Sequence, residues 1–118
     1  MLTLDEFFAG EVESRRIFDA LLEAIDALGP VQVNVTKSQV AFRRQNAFAW
    51  AWMPGMYLRG KVPPLVLTLA LRRQDRSPRW KQIVEPKTGR FTHHLELFST
   101  ADIDDEVRTW LQEAWATA

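Results

Sequence analysis

The chain has 118 residues, no cysteine, and 15 basic side chains set against 15 acidic ones, a length that accommodates one domain and no second fold of ordinary size. At 47% hydrophobic and 25% charged it has the composition of a soluble globular protein, and its longest apolar run, residues 47–53, is far short of a membrane span. The absence of cysteine excludes disulfides, thiol nucleophiles and thiolate metal sites. Cysteine-free composition, with an acidic N-terminus that lacks the hydrophobic stretch of a signal peptide, predicts a cytoplasmic location and no membrane partner.

The zero net charge averages three unlike blocks. Residues 1–35 carry seven acids and two bases, residues 36–94 twelve bases and two acids, and residues 95–118 six acids and one base. Asymmetry of this kind marks either a surface for an acidic partner or acid-rich helices flanking a basic sheet.

Thr3 with Glu6 three residues on is a capping-box pattern that opens a first short helix carrying Leu4, Phe7 and Phe8, and Gly10 interrupts it. Ile17, Phe18, Leu21, Leu22, Ile25 and Leu28 then recur at spacings of three and four, which predicts a helix over 11–28 stopped by Gly29-Pro30. Beyond Pro30 the period falls to two. Val31, Val33 and Val35, then Val40 and Phe42, then Phe48, Trp50 and Trp52 define three short strands whose brief links force antiparallel pairing. A Pro- and Gly-bearing loop over 53–64 precedes an apolar strand over 65–71, and 72–79 reads as a basic loop. Residues 80–85 fit either an edge strand or a turn, 86–89 a turn, and 91–98 a further strand. A last helix is predicted from near Asp102, capped by Ser99, Thr100 or Asp102, with Ile103, Val107, Trp110, Leu111, Ala114 and Trp115 as its buried stripe. The expected fold is α+β: a single compact domain with a five- or six-stranded, mostly antiparallel sheet and N-terminal and C-terminal helices packed on one face.

The alternation assigns two sheet faces. Val31, Val33, Val35, Val40, Phe42, Phe48, Trp50, Trp52, Leu95 and Leu97 are expected under the helices. Gln32, Asn34, Gln39, Ala41, Arg43, Ala47, Ala49, Ala51, Thr68, Thr92, His94 and Glu96 are expected on the other face, small and polar, where a ligand or partner could approach the backbone.

Among motifs that carry chemistry, His93-His94 comes first. Neighbouring strand residues point to opposite faces, so the pair cannot chelate one metal, and no metal or cofactor site is expected. His93, in phase with Leu95 and Leu97, reads as a hydrogen-bonded buried histidine; His94, beside Thr92 and Glu96, is the better ligand contact or general base. Lys37, within Thr36-Lys37-Ser38, lacks the glycines of a phosphate loop but can meet an anion as a point charge. Arg72, Arg73, Arg76, Arg79 and Lys81 surround Trp80, the combination of cations and a stacking ring that single-stranded nucleic acid requires, although one tryptophan is not a platform.

Several segments together resemble a bacterial family known as domain of unknown function 5655. They are Phe7-Phe8-Ala9-Gly10, Leu28-Gly29-Pro30, residues 35–42, Ser77-Pro78-Arg79, Glu85-Pro86, Arg90 with Thr92-His93-His94, and residues 104–111. The resemblance spans nearly the whole chain. It implies a compact α+β domain and a role for Lys37, Arg79, Glu85, Arg90, His93 and His94, but no reaction. The Cys-rich segment that often precedes the domain in that family has no counterpart here.

Three functions follow. The first is a non-enzymatic module holding an anionic small molecule or acidic partner on a basic sheet face, with Lys37, Arg43, Arg79, Glu85, Arg90, His93 and His94 as candidate contacts. The second is a small enzyme pairing His94 with Glu85 or Glu96 and clamping an anion with Lys37, Arg43 or Arg90. The third is an interaction module, monomer or homodimer, exposing an apolar patch near Trp110, Trp115 or residues 53–58.

Overall fold

The computed structural model describes residues 2–118. Helix α1 (Leu4–Phe7) is closed by the predicted capping box: Thr3 Oγ1 accepts from the Glu6 amide at 3.1 Å and Glu6 Oε1 from the Thr3 amide at 3.0 Å. Helix α2 (Val12–Asp26) buries Ile17, Phe18, Leu21 and Ile25. Gly29, at φ 142°, ends the turn that follows. Helix α3 (Asp105–Ala116) starts later than expected, because Ser99 and Asp102 cap a separate 3-10 turn (Thr100–Asp102) and Asp104 caps α3 itself, accepting from the Val107 amide at 3.1 Å.

The strands are β1 (Gln32–Val35), β2 (Val40–Arg43), β3 (Ala47–Trp52), β4 (Leu65–Leu71), β5 (Gln82–Lys87) and β6 (Arg90–Leu97), in one sheet of order β1-β2-β3-β4-β6-β5. Every neighbouring pair is antiparallel. The ambiguous 80–85 segment resolves as edge strand β5. It tolerates Pro86 because the ladder to β6 is already irregular between Val84 and Lys87, and an edge strand needs only one of its two rows of hydrogen bonds. The chain turns at Thr88-Gly89, later than expected.

The three helices cover one face of the sheet. Between them lie Ile17, Phe18, Leu21 and Ile25 of α2, Val107 and Leu111 of α3, and the inward residues Val40, Phe42, Leu65, Leu67, Leu69, Leu95 and Leu97, all nearly inaccessible. A buried aromatic of this kind removes about 150–250 Å² from water, roughly 4–6 kcal/mol each at most, which lets a chain this short fold without disulfides.

One expectation about the faces fails. In the β2–β3 ladder Phe42 pairs with Ala49 and Arg43 with Ala47, so Phe48 is an extra, unpaired residue in a β-bulge. Phe48 and Ala49 both enter the core, and beyond them the alternation is inverted. Ala49 and Ala51 therefore point to the helices, while Trp50 and Trp52, expected beneath them, stand half-buried on the opposite face. Val33, expected in the core, is exposed because β1 is an edge strand that the helices do not cover.

Candidate functional site

The uncovered face holds a cavity of about 370 Å³ lined by Ser38, Gln39, Trp50, Trp52, Tyr57, Thr68, Thr92 and His94. Its floor is set by register: Trp50 faces Thr68 and Trp52 faces Val66 across β3–β4, and Thr68 faces His94 across β4–β6. Its rim is a loop. The 3-10 turn Pro54–Met56 carries Tyr57 towards the β1–β2 turn, where its hydroxyl donates to the Ser38 carbonyl at 3.4 Å.

A three-membered polar network fixes the floor. The Trp52 indole N–H donates to Thr68 Oγ1 at 3.0 Å, and Thr68 Oγ1 lies 2.8 Å from His94 Nδ1. Thr68 is buried, so its hydroxyl is best satisfied by accepting from Trp52 and donating to His94. That assignment places the ring proton on His94 Nε2. No protein group among the described residues bonds Nε2, and no buried side-chain nitrogen or oxygen is left unpartnered, so Nε2 reaches the solvent of the cavity. Burial, and secondarily the neighbouring His93, holds the His94 pKa below its ordinary value, so at neutral pH the ring is uncharged. The Trp52 ring meets His94 edge-on, 6.4 Å between centroids, which fixes both rings. No charged side chain lines the cavity.

Of the candidate contacts named from sequence, His94 alone lines this cavity, joined by Gln39, Thr68 and Thr92, which were expected on this face. Lys37 is exposed in the β1–β2 turn beside Ser38, and Arg43 is exposed at the end of β2. Glu85 lies in the irregular part of β5, where its carboxylate accepts from the Gly89 amide at 3.1 Å, so it does not orient His94. His93 is fully buried on the helix side, as its phase implied: Nε2 accepts from the Asp75 amide at 3.0 Å, and Nδ1 lies 3.2 Å from the Phe91 carbonyl.

The basic loop is occupied with structure. Arg79 spans Asp104 and Glu106 at 3.0 and 2.8 Å and lies over the Trp110 ring. Arg73 grips Glu113 through two bonds of 2.9 Å and also pairs with Asp75. Trp80, the candidate stacking ring for nucleic acid, is 8% exposed, donates to Asp75 Oδ2 at 2.9 Å and packs on Trp110 at 4.2 Å between centroids. A base cannot stack there. Arg76 and Lys81 are exposed on the same segment, and Arg72 donates to the Thr117 carbonyl at 2.9 Å. Trp110 is buried, whereas Met56, Tyr57 and Leu58 are exposed.

Sequence reasoning missed Trp50, Trp52, Tyr57 and Ser38 as lining residues. The β3 run Ala-Phe-Ala-Trp-Ala-Trp carries the alternation but not its phase, and Tyr57 reaches the site through a loop whose path no local pattern specifies.

Fold and site together define an α+β domain with a ligand-sized, aromatic-lined cavity on the uncovered face of its sheet. The chain belongs to the family described as domain of unknown function (DUF5655), whose model matches residues 4–118. No curated protein and no solved structure matches it.

Proposed function

We propose that the domain is a binding module whose uncovered sheet face holds a small ligand with a flat ring. The observation that carries this reading is the pairing of an uncharged aromatic lining with one unclaimed ring nitrogen, His94 Nε2, at its floor. A flat ring gains area and stacking energy against Trp50 or Trp52, and Nε2–H selects a ligand that presents an acceptor to it. Thr92 and Gln39 add polar contacts at the edge, although Thr92 already donates to the Val84 carbonyl at 3.2 Å. Recognition of this kind accounts for a histidine held neutral and oriented by a hydroxyl rather than by a carboxylate, which favours binding over general-base catalysis.

The test is a titration of the full chain with adenosine and with cytidine at millimolar concentration, read from the indole N–H signals in NMR. The expected result is a saturable shift at Trp50 and Trp52 for at least one probe, with His94→Ala weakening binding about tenfold, the value of one lost hydrogen bond. Absence of a saturable shift at these indoles with every probe would sink the reading.

A further inference from the structure

We propose a second site: the end of the sheet where β4 meets β6 binds a small oxyanion, a carboxylate or a phosphate group, between Arg72 and Arg90. It is separate from the aromatic cavity and does not depend on it.

The last β4–β6 pair is Leu71 with Phe91, so the next position sets Arg72 opposite Arg90. On its other side Arg90 pairs with Lys87 of β5. Three cations thus stand in one row across three strands. Like charges directly opposite one another on a sheet are destabilising, whereas an acid opposite a base contributes roughly 0.2–1 kcal/mol. No ion pair involves Arg72, Arg90 or Lys87 among the described residues. Of the acids nearest in sequence, Asp75 pairs with Arg73 and Glu85 spends its carboxylate on the Gly89 amide.

Helix capping explains part of the basic end. Helix α3 has no cation in its own last turn, and the sheet supplies two: Arg72 donates to the Thr117 carbonyl, and Arg44 donates to the Trp115 carbonyl at 3.2 Å while lying 4.0 Å over the Trp115 ring. Capping accounts for Arg72 and Arg44 but for neither Arg90 nor Lys87. Arg90 commits a single N–H, to the Ala47 carbonyl at a long 3.3 Å, and leaves the rest of its fork free.

Arg72 and Arg90 also line one cavity, of about 180 Å³, with Asn46 beside them and Phe48, Ala70, Leu71 and Ala114 behind. Ala118 borders it without an ion pair to either arginine. Two arginines lining a small, partly apolar hollow match a compact anion: a planar fork offers paired N–H groups to two oxygens at once. The volume admits inorganic phosphate or the head of a short-chain carboxylate.

The full chain is titrated with inorganic phosphate and, separately, with butyrate, ionic strength being held constant with chloride. NMR signals and the denaturant midpoint are followed, and the same is done with Arg90→Gln. The expected result is a saturable shift confined to residues around Asn46, Arg72 and Arg90, with a midpoint raised by the bound anion. Arg90→Gln is expected to be at least as stable as the parent in chloride, because it relieves the cation row, yet to bind at least tenfold more weakly. Saturation by phosphate alone or by butyrate alone assigns the oxyanion class. Shifts no larger than those in chloride, or spread over every exposed cation, overturn the site. So does an Arg90→Gln chain that binds as the parent does, or one that is less stable without losing a specific response, since Arg90 would then be structural.

Discussion

The two adjacent histidines show how far a single position on a strand determines what a side chain does. His94 meets solvent through Nε2, whereas His93 is fully buried with both nitrogens engaged and its ring 4.8 Å from that of Trp80. Removing the His93 ring leaves a cavity and an unpaired Asp75 amide, so His93→Ala is expected to cost about 3 kcal/mol by denaturant titration. His93→Gln, which keeps an acceptor near Nε2, should cost roughly 1 kcal/mol. Burial, against smaller opposing effects of the Phe91 carbonyl and Asp75, holds His93 below the ordinary histidine pKa of 6.5. The unfolded chain takes up protons that the folded chain refuses, so stability is full above pH 6.5 and falls as the pH is lowered through that value. His93→Gln should flatten part of that fall, and His94 should account for the remainder. Asp75 acts in a lower window. Burial pushes its carboxyl up, but bonds from the Trp80 indole, the Ser77 amide and Arg73 outweigh it and hold the pKa at about 2, below its usual 3.8. Its contribution is complete above pH 3.8 and lost as the pH falls towards 2. Asp75→Asn should therefore cost about 2 kcal/mol at neutral pH, a gap that largely closes in acid.

At the scale of elements, the junction between α2 and β1 carries a sharper constraint than its stop signal indicated. A Cβ on Gly29 would lie 2.7 Å from Cζ2 of Trp115, whose indole N–H donates to the Pro30 carbonyl at 3.2 Å, and φ there is 142°. Gly29→Ala is expected to cost about 2–3 kcal/mol, and adding Trp115→Ala should not restore stability, because the backbone conformation is itself unfavourable for a side chain. Denaturant midpoints of the single and double variants check this. Gly29-Pro30 was legible as the end of a helix; that the glycine also admits a tryptophan from the far end of the chain was not. The same division runs through the fold. Periodicities of 3.6 and 2, caps and turn residues located the helices and strands, and short links gave their antiparallel sense. The insertion of β6 between β4 and β5 depends on long-range pairing, which local pattern does not encode. At the site, His94 was legible from its strand phase beside Thr92. The tryptophans around it were hidden by a change of phase within β3.

At the scale of the molecule, the three charge blocks turn out to be partly internal. Arg73 and Arg79 of the basic block close on Glu113, Asp104 and Glu106 of the acidic one, tying the β4–β5 loop to α3 over the Trp80–Trp110 contact. Arg79 also donates to the Asp102 carbonyl at 3.3 Å. Replacing Arg79 by Ala is expected to cost about 1–2 kcal/mol and to alter tryptophan fluorescence, with Arg79→Lys recovering only part, because both carboxylates are met by Nη1 alone while an ammonium lacks the Nη2 bond to the Asp102 carbonyl and the plane over Trp110. High salt should weaken the parent more than the Ala variant. Cations left out of these ties are divided between exposed turns, Lys37 and Arg76 among them, and the β4–β6 end of the sheet.

The unpaired Phe48 has a consequence for how this chain tolerates changes in length. A loop such as 53–64 can gain or lose a residue at modest cost, since its ends remain where they are. Deleting Phe48 would join Ala47 to Ala49 with their pairs to Arg43 and Phe42 unchanged, so both indoles would stay on the open face and the loss would be the core volume that Phe48 fills. Deleting a residue after the bulge, such as Ala51, would instead move Trp52 into a core-facing position sized for alanine, so between Ala49 and Trp52 the open face is held by a residue count as much as by residue identity.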